Sequence, residues 1–148
     1  MKLLKLMLFA FLCFGSIACQ AQTNGVEMKT EKEIKKVIGT FVKAGEERNV
    51  SMYSDILHTD FRVIANRFPT PEKTSIIPAK SYIAMISKEV IGGTEYQIKY
   101  KDIYIAEHSA TVRVELIAEK SRQLVTFLLI QNSENKWQII ADMATQAK

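Results

Sequence analysis

The chain has 148 residues, with 20 lysines and arginines against 16 aspartates and glutamates, and 47% of its residues are hydrophobic. Its 6 glycines, 3 prolines and 2 cysteines exclude collagen, low-complexity disorder and a disulfide scaffold. This length predicts a single folded domain behind any targeting segment.

The first residues have the pattern of a secretion signal. Lys2 and Lys5 give a basic start, and a mainly apolar stretch follows from Leu6 to Ala18. This stretch is too short to cross a bilayer, which needs about 20 helical residues. We therefore predict a signal peptide over residues 1–21, a periplasmic or secreted protein, and no transmembrane segment.

The end of this segment leaves two cleavage sites open. Cleavage after Ala21 would release a secreted chain, whereas cleavage after Ala18 would leave Cys19 at the N-terminus, as in a bacterial lipoprotein. Ser16 stands where the lipoprotein motif usually has leucine, which favours ordinary secretion. A lipid anchor at Cys19, giving a membrane-anchored lipoprotein, is the alternative.

The charge pattern does not indicate a nucleic-acid surface. Removal of residues 1–21 takes away Lys2 and Lys5 and no acid, so the net charge falls from +4 by two. The densest run of lysines, from Lys29 to Lys36, alternates with glutamates. This run is typical of a solvated helix face, and we predict no nucleic-acid partner.

The chain lacks the residues and motifs of several chemistries. Cys13 and Cys19 belong to the leader or its end, so the mature domain has no cysteine nucleophile, and His58 and His108 alone cannot assemble a usual zinc site. No P-loop, dinucleotide-binding, G-x-S-x-G or H-E-x-x-H motif is present. We predict no cofactor, no metal site and no assigned catalytic residue.

The apolar spacing predicts three helices before a sheet. Residues 22–29 are expected to be a linker, and Thr30 with Glu33 matches a capping box that would start the first helix, which runs to about Glu47. A short second helix from Asn49 or Ser51 would end at His58-Thr59-Asp60. The apolar stripe of the first helix comprises Ile34, Val37, Ile38, Phe41, Val42 and Gly45.

The third predicted helix runs from Ala79 to Val90, with Pro78 as its first residue and Gly92-Gly93 ending it. A strand is expected before it over 61–67. The proline-rich loop 68–78 between them would contain at most a short edge strand at 75–77.

A change to period-two alternation over 94–146 predicts four strands in a meander. The third of these is apolar on both faces, because Val125, Phe127 and Leu129 alternate with Leu124, Leu128 and Ile130. Whichever set faces the helices, the other needs cover, so we predict a homodimer through the sheet.

The order of these elements, the step His58-Thr59-Asp60-Phe61 and the strand Lys136 to Ile140 resemble the nuclear transport factor 2-like superfamily. The resemblance is closest to its putative lumazine-binding branch and covers a single domain over about residues 30–146. It implies an α+β fold in which three N-terminal helices pack on a curved antiparallel sheet, cone-shaped with an apolar pocket, often dimeric through the sheet. The superfamily contains ketosteroid isomerases, dehydratases and non-catalytic binders, so the fold does not decide the activity.

Candidate ligand-binding residues are those expected to converge inside this sheet. Tyrosines combine an apolar ring with a hydroxyl that needs a partner when buried. The candidates are Tyr53, Phe61, Tyr82, Tyr96, Tyr100 and Asp142.

Asp142 is expected on the face of Ile140, among apolar neighbours that could raise its pKa. The favoured interpretation is instead an ion pair with Arg113, and Arg113 could also pair with Glu115. His58 and Asp60 are expected to cap a helix-to-strand corner, with a general-base pair as the less favoured interpretation.

These observations favour an exported protein that binds a small apolar or aromatic molecule. An isomerase or dehydratase is the alternative, with Asp142 as base and Tyr53 or Tyr100 as donor. A non-catalytic dimeric interaction module is a third interpretation, and it predicts no cavity above about 300 Å³.

Overall fold

The computed structural model describes residues 15–67 and 70–146. Its contacts divide the chain into two units, residues 1–32 and 33–148. The predicted signal peptide lies mostly outside the described residues and stays a prediction. No described helix is both long enough and apolar enough to cross a membrane.

Helix α1 spans Gly15–Glu46. It therefore begins upstream of the expected start, and residues 22–30 are helical. The capping-box prediction at Thr30 is wrong, because such a box satisfies the free N–H groups of a helix start and this residue lies in the helix interior.

The part of α1 within the second unit confirms the predicted apolar stripe. Ile34 and Ile38 are fully buried, and Phe41 and Val42 are nearly so. The helix ends in a Schellman motif: the N–H of Asn49 donates to the Ala44 carbonyl at 2.9 Å, and Arg48 takes a left-handed φ of 51°.

The second predicted helix is only a 3₁₀ turn, Val50–Tyr53, and strand β1 begins already at Leu57. Sheet pairing overrides the local helical spacing here, because the N–H of Ile139 donates to the Ile56 carbonyl at 2.8 Å. The expected corner at His58 and Asp60 is wrong for the same reason. Both residues lie inside β1, where its register with the neighbouring strand is interrupted.

Helix α2, the third one predicted, spans Ala79–Ser87, with Pro78 at its N-cap rather than its first turn. It ends earlier than expected, in a second Schellman motif. The N–H of Val90 donates to the Met85 carbonyl at 2.9 Å, and Glu89 takes a left-handed φ of 56°. Gly92-Gly93 therefore does not end this helix.

The described residues of the second unit form one curved six-stranded sheet in the order β2-β1-β6-β5-β4-β3. The strand bounds are β1 Leu57–Asn66, β2 Thr74–Pro78, β3 Gln97–Ala106, β4 Ser109–Ile117, β5 Arg122–Gln131 and β6 Trp137–Gln146. The edge strand and the four-strand meander are confirmed.

Two details of the expected fold class are wrong. Within the described residues there are two α-helices and one 3₁₀ turn rather than three helices. The sheet is mixed, because β1 pairs with β6 in parallel while every other pair is antiparallel. The chain crosses from β2 through α2 to the far edge at β3, and the meander then returns β6 alongside β1 in the same direction.

The two faces of the sheet differ in burial. On β5, Val125, Phe127 and Leu129 are buried, whereas Leu124 and Leu128 are 46% and 43% exposed. The first set packs in the core with the apolar stripe of α1. We call the buried side the inner face and the opposite side the outer face.

Candidate functional site

A cavity of about 650 Å³ lies within residues 33–148, between the inner face of the sheet, the last turns of α1, and α2. Its walls are mostly apolar and partly aromatic. They include Phe41, Val63, Tyr82, Ile86, Val125 and Phe127. The cavity is more than twice the size that the filled-core interpretation allowed, and it argues against that interpretation.

One wall of the cavity is a loop that residues at the end of α1 hold in place. Ile91, Gly92, Thr94 and Tyr96 line the cavity. The Arg48 guanidinium donates to the carbonyls of Ile91 and Gly92, at 3.4 and 3.0 Å. The N–H of Tyr96 donates to a carboxylate oxygen of Glu46, in the last turn of α1, at 2.7 Å.

Glycine is required at position 92 of this loop. Gly92 has a φ of +84°, and a Cβ there would lie 2.5 Å from the Gly45 carbonyl oxygen. The N–H of Gly93 donates to the same oxygen at 2.9 Å. The loop and α1 thus approach more closely than any side chain would permit.

A β-bulge in β6 brings Asp142 to the cavity. Leu129 pairs with Ile139, but Leu128 pairs with Ala141, so Ile140 is the extra residue. The alternation therefore changes phase, and Ile139 and Asp142 are both buried on the inner face. Strict alternation along β6 therefore does not hold across the bulge, and Asp142 lies among the buried residues of the inner face.

Asp142 lines the cavity and is 6% exposed, and its Oδ1 has no hydrogen-bond partner among the described residues. Burial raises the pKa of its carboxyl from 3.8 to about 7. Both protonation states of this group are therefore populated near neutral pH.

The predicted ion pair between Asp142 and Arg113 is wrong. Arg113 lies on the outer face, where its Nε donates to Asp102 Oδ2 at 2.7 Å. Its alternative pairing with Glu115 is also wrong, since the Glu115 carboxylate contacts the Lys101 amine at 2.9 Å and the Arg122 guanidinium.

Two of the five predicted aromatic residues, Tyr82 and Tyr96, line the cavity. The Tyr82 ring stacks on Phe41, with ring centroids 5.8 Å apart and planes 7° from parallel. Burial, with smaller effects from Tyr53 and Asp142, raises the pKa of Tyr82 well above its usual value. The hydroxyl is therefore neutral and can donate or accept a hydrogen bond.

The other three aromatic candidates do not line this cavity. Tyr53 lies behind Tyr82, with 3.4 Å between the two hydroxyl oxygens. Phe61 is buried in the core against Phe41 and Tyr82. The Tyr100 hydroxyl donates to the Lys35 carbonyl at 3.1 Å, so this side chain ties β3 to α1.

Several polar lining residues escaped sequence reasoning. Glu46, Lys73, Ser75, Thr94 and Gln123 all line the cavity. Gln123 donates to the Tyr96 hydroxyl at 3.1 Å. Its position two residues before Val125 was the available signal, since it shares the face of that buried residue. The other four lie at a helix end, in loops and on an edge strand, where no repeating apolar pattern indicates which residues face the cavity.

His58 and Asp60 are not part of this site. The His58 Nδ1 accepts a hydrogen bond from the N–H of Asp60 at 3.1 Å, and neither residue lines the cavity. This contact lies inside β1 and is not the helix-to-strand cap that was expected. A general-base pair would need access to a bound molecule.

The sheet and its helices have the nuclear transport factor 2-like fold. An NTF-2 like protein of unknown function from Silicibacter pomeroyi matches with a TM-score of 0.70 and 12% identity, over 82% of this chain and 98% of that one. A second, from Shewanella baltica, matches with a TM-score of 0.69 and 14% identity, over 82% and 96%.

A structure described as a putative ketosteroid isomerase, from Parabacteroides distasonis, matches with a TM-score of 0.58 and 13% identity, over 76% of this chain and 86% of that one. At these identities the likeness establishes the fold alone. A search of curated proteins finds no match. Residues 29–143 match the family described as putative lumazine-binding, and the chain belongs to that family.

The buried carboxyl should make stability depend on pH in a definite direction. Because the folded-state pKa of Asp142 lies above the unfolded value of 3.8, stability falls as pH rises from about 4 to about 7 and then levels off. The contribution of Asp142 to the wild-type free energy of unfolding should fall by roughly 2 to 3 kcal/mol between pH 5 and pH 8.

Asp142→Asn should lack this fall, so its stability relative to wild type should rise between the two pH values in urea denaturation. Asp55→Asn, at an exposed carboxylate, should follow the wild-type pH dependence. An unchanged difference between Asp142→Asn and wild type at pH 5 and pH 8 would contradict the assignment.

Proposed function

We propose that this protein binds a small, mainly apolar or aromatic molecule in the cavity on the inner face of its sheet. The observation that carries the proposal is the cavity itself, about 650 Å³ with mostly apolar walls. Its size and composition are those of small-molecule sites, which combine apolar walls with a few polar groups that fix orientation. The family's description as putative lumazine-binding supports ligand binding in general.

Aromatic walls favour a flat ligand. Phe41, Tyr82 and Phe127 all line the cavity, and flat molecules can stack on such rings. The polar groups lie at separate points of the wall, from Asp142 on β6 to Thr94 in the loop and Ser75 on β2. A ligand with an apolar body and one or two polar substituents would match this arrangement.

A neutral fluorescent probe tests the site. N-phenyl-1-naphthylamine should bind with a saturable, one-site increase in fluorescence, and a concentration near 100 times its dissociation constant should stabilise the protein by about 2.7 kcal/mol. Ala144→Trp should abolish binding, because Ala144 lines the cavity and an indole would fill it. Ala106→Trp, at an exposed position of β3, is the matched control and should bind as wild type does. Equal binding by both variants would refute the site.

Acid-base catalysis is the second candidate, as an isomerase or dehydratase. A carboxyl with a pKa of about 7 lines the cavity together with Tyr82, whose hydroxyl could act as a donor. This pair replaces the expected donors Tyr53 and Tyr100, which do not line it. Turnover of a β,γ-unsaturated ketone that is lost in Asp142→Asn would favour this function, and binding without turnover would favour the first.

We further propose that the protein is a homodimer through the outer face of the sheet. Leu124, Leu128 and Met143 are between 41% and 46% exposed on this face. They lie on the neighbouring strands β5 and β6, where Met143 pairs with Thr126. Three large apolar side chains on adjacent strands form the kind of patch that a two-fold contact would cover.

Two adjacent substitutions on β5 separate assembly from folding. Leu128→Lys should give a soluble monomer with an unchanged circular-dichroism spectrum, because the side chain lies on the outer face. Phe127→Lys should unfold the protein, because Phe127 is fully buried and packs on Phe41 with ring centroids 5.4 Å apart. Size exclusion with light scattering gives the oligomeric state. A wild-type monomer at micromolar concentration would refute the dimer.

The N-terminal sequence supports export, to the periplasm or outside the cell, as part of this proposal. Mass spectrometry of the protein from a cell fractionation would distinguish a chain that starts at Gln22 from one that starts at a lipid-modified Cys19. Retention of the full-length chain in the cytoplasm would contradict both forms.

A further inference from the structure

We propose that the molecule held in the cavity carries a basic nitrogen, bound as a cation against Asp142, on its apolar or aromatic body. This inference rests on the proposed function, since it concerns the same cavity. It adds the charge of the ligand, on which the family description and the fold are silent.

The charged residues of the cavity wall favour a cation. Asp142 and Glu46 are acidic, whereas Lys73 is the one basic residue among the described lining residues and is exposed to solvent. Arg48 lies beside the loop wall, but its guanidinium donates to the Ile91 and Gly92 carbonyls and pairs with Glu89 at 3.6 Å. An anionic ligand would therefore be repelled by two carboxylates, and the exposed Lys73 would offset little of that repulsion.

Asp142 is the lining carboxyl that lacks a partner. Its Oδ1 accepts no hydrogen bond from the described residues, and no described cation pairs with it. Burial, with a smaller effect from the nearby Asp142 carboxyl, raises the pKa values of Tyr53 and Tyr82, so both neighbouring hydroxyls are neutral. Glu46 has one oxygen engaged by the Tyr96 N–H at 2.7 Å. An unpaired carboxylate in an apolar wall gains most from a ligand that brings an N–H donor and a positive charge.

The rest of the wall suits the body of such a ligand. The Phe41 and Tyr82 rings stack nearly parallel, and both line the same cavity as Asp142. Aromatic faces attract cations as well as flat apolar groups. A neutral carbonyl compound, by contrast, would need Asp142 in its protonated form, which is depleted above the pKa of about 7.

Three naphthalene probes of matched shape test the inference on the full chain: 1-naphthylmethylamine, 1-naphthalenemethanol and 1-naphthoate. At pH 8 the amine should bind wild type about tenfold or more tightly than the alcohol, the range expected for a hydrogen bond between charged groups. The carboxylate should bind most weakly. Isothermal titration calorimetry measures all three.

The dependence on pH follows from Asp142. Below its pKa of about 7, the amine must displace a proton before it pairs, so its affinity should fall about tenfold from pH 8 to pH 6. The alcohol should show no such fall. The amine stays protonated over this range, as a lysine side chain does.

Asp142→Asn should remove the preference for the amine and its pH dependence while it still binds the alcohol, which shows that the cavity is intact. Asp55→Asn makes the same change of charge at an exposed site outside the cavity and should behave as wild type. Binding of the alcohol with an equal or weaker affinity for the amine would overturn this inference and leave the proposed function standing. Binding of none of the three probes would count against both.

Discussion

The packing of one phenylalanine ring determines where the helices sit on the sheet. Phe41, on α1, contacts the rings of Tyr53, Phe61, Tyr82 and Phe127, with centroid distances between 5.4 and 5.8 Å. These partners come from the 3₁₀ turn, β1, α2 and β5, so a single side chain joins every layer of the second unit. The same ring lines the cavity. The cavity is therefore the space that remains beside this aromatic cluster, and its shape depends on that contact.

The loop wall depends on a second constraint, the facing ends of α1 and α2. Both helices end with a charged residue in the left-handed conformation, Arg48 and Glu89, where glycine is usual. These two residues form an ion pair with each other, and Arg48 also binds the carbonyls of the loop. Their side chains explain why these two strained backbone positions carry arginine and glutamate. Glycine at either position would remove the ion pair, and glycine at position 48 would also remove the hydrogen bonds that position the cavity wall.

The sequence predicts features that repeat with a period and misses features that interrupt one. The stripe of α1 and the meander strands were predictable because each buried residue is supported by several others at the same spacing. The bulge at Ile140 was not, since one inserted residue leaves no mark in the composition, and this bulge puts Asp142 on the same inner face as Ile139. A full helix was predicted in place of the short 3₁₀ turn because Ile56 and Leu57 lie three and four residues after Tyr53, which is helical spacing. In the structure both residues instead contact β6 as part of the sheet.

Burial of the Asp142 carboxyl without a hydrogen-bond partner costs the fold stability. Leu, Val or Ala occupies most inner-face positions of the neighbouring strands, and such a residue at position 142 would bury the same area without desolvating a carboxyl. Buried polar groups in proteins are normally satisfied, and an unsatisfied one calls for an explanation. Here the bulge in β6 places the unsatisfied group at a cavity large enough for a small molecule. A hydrogen-bond donor bound in the cavity would satisfy the carboxyl and offset this cost in stability.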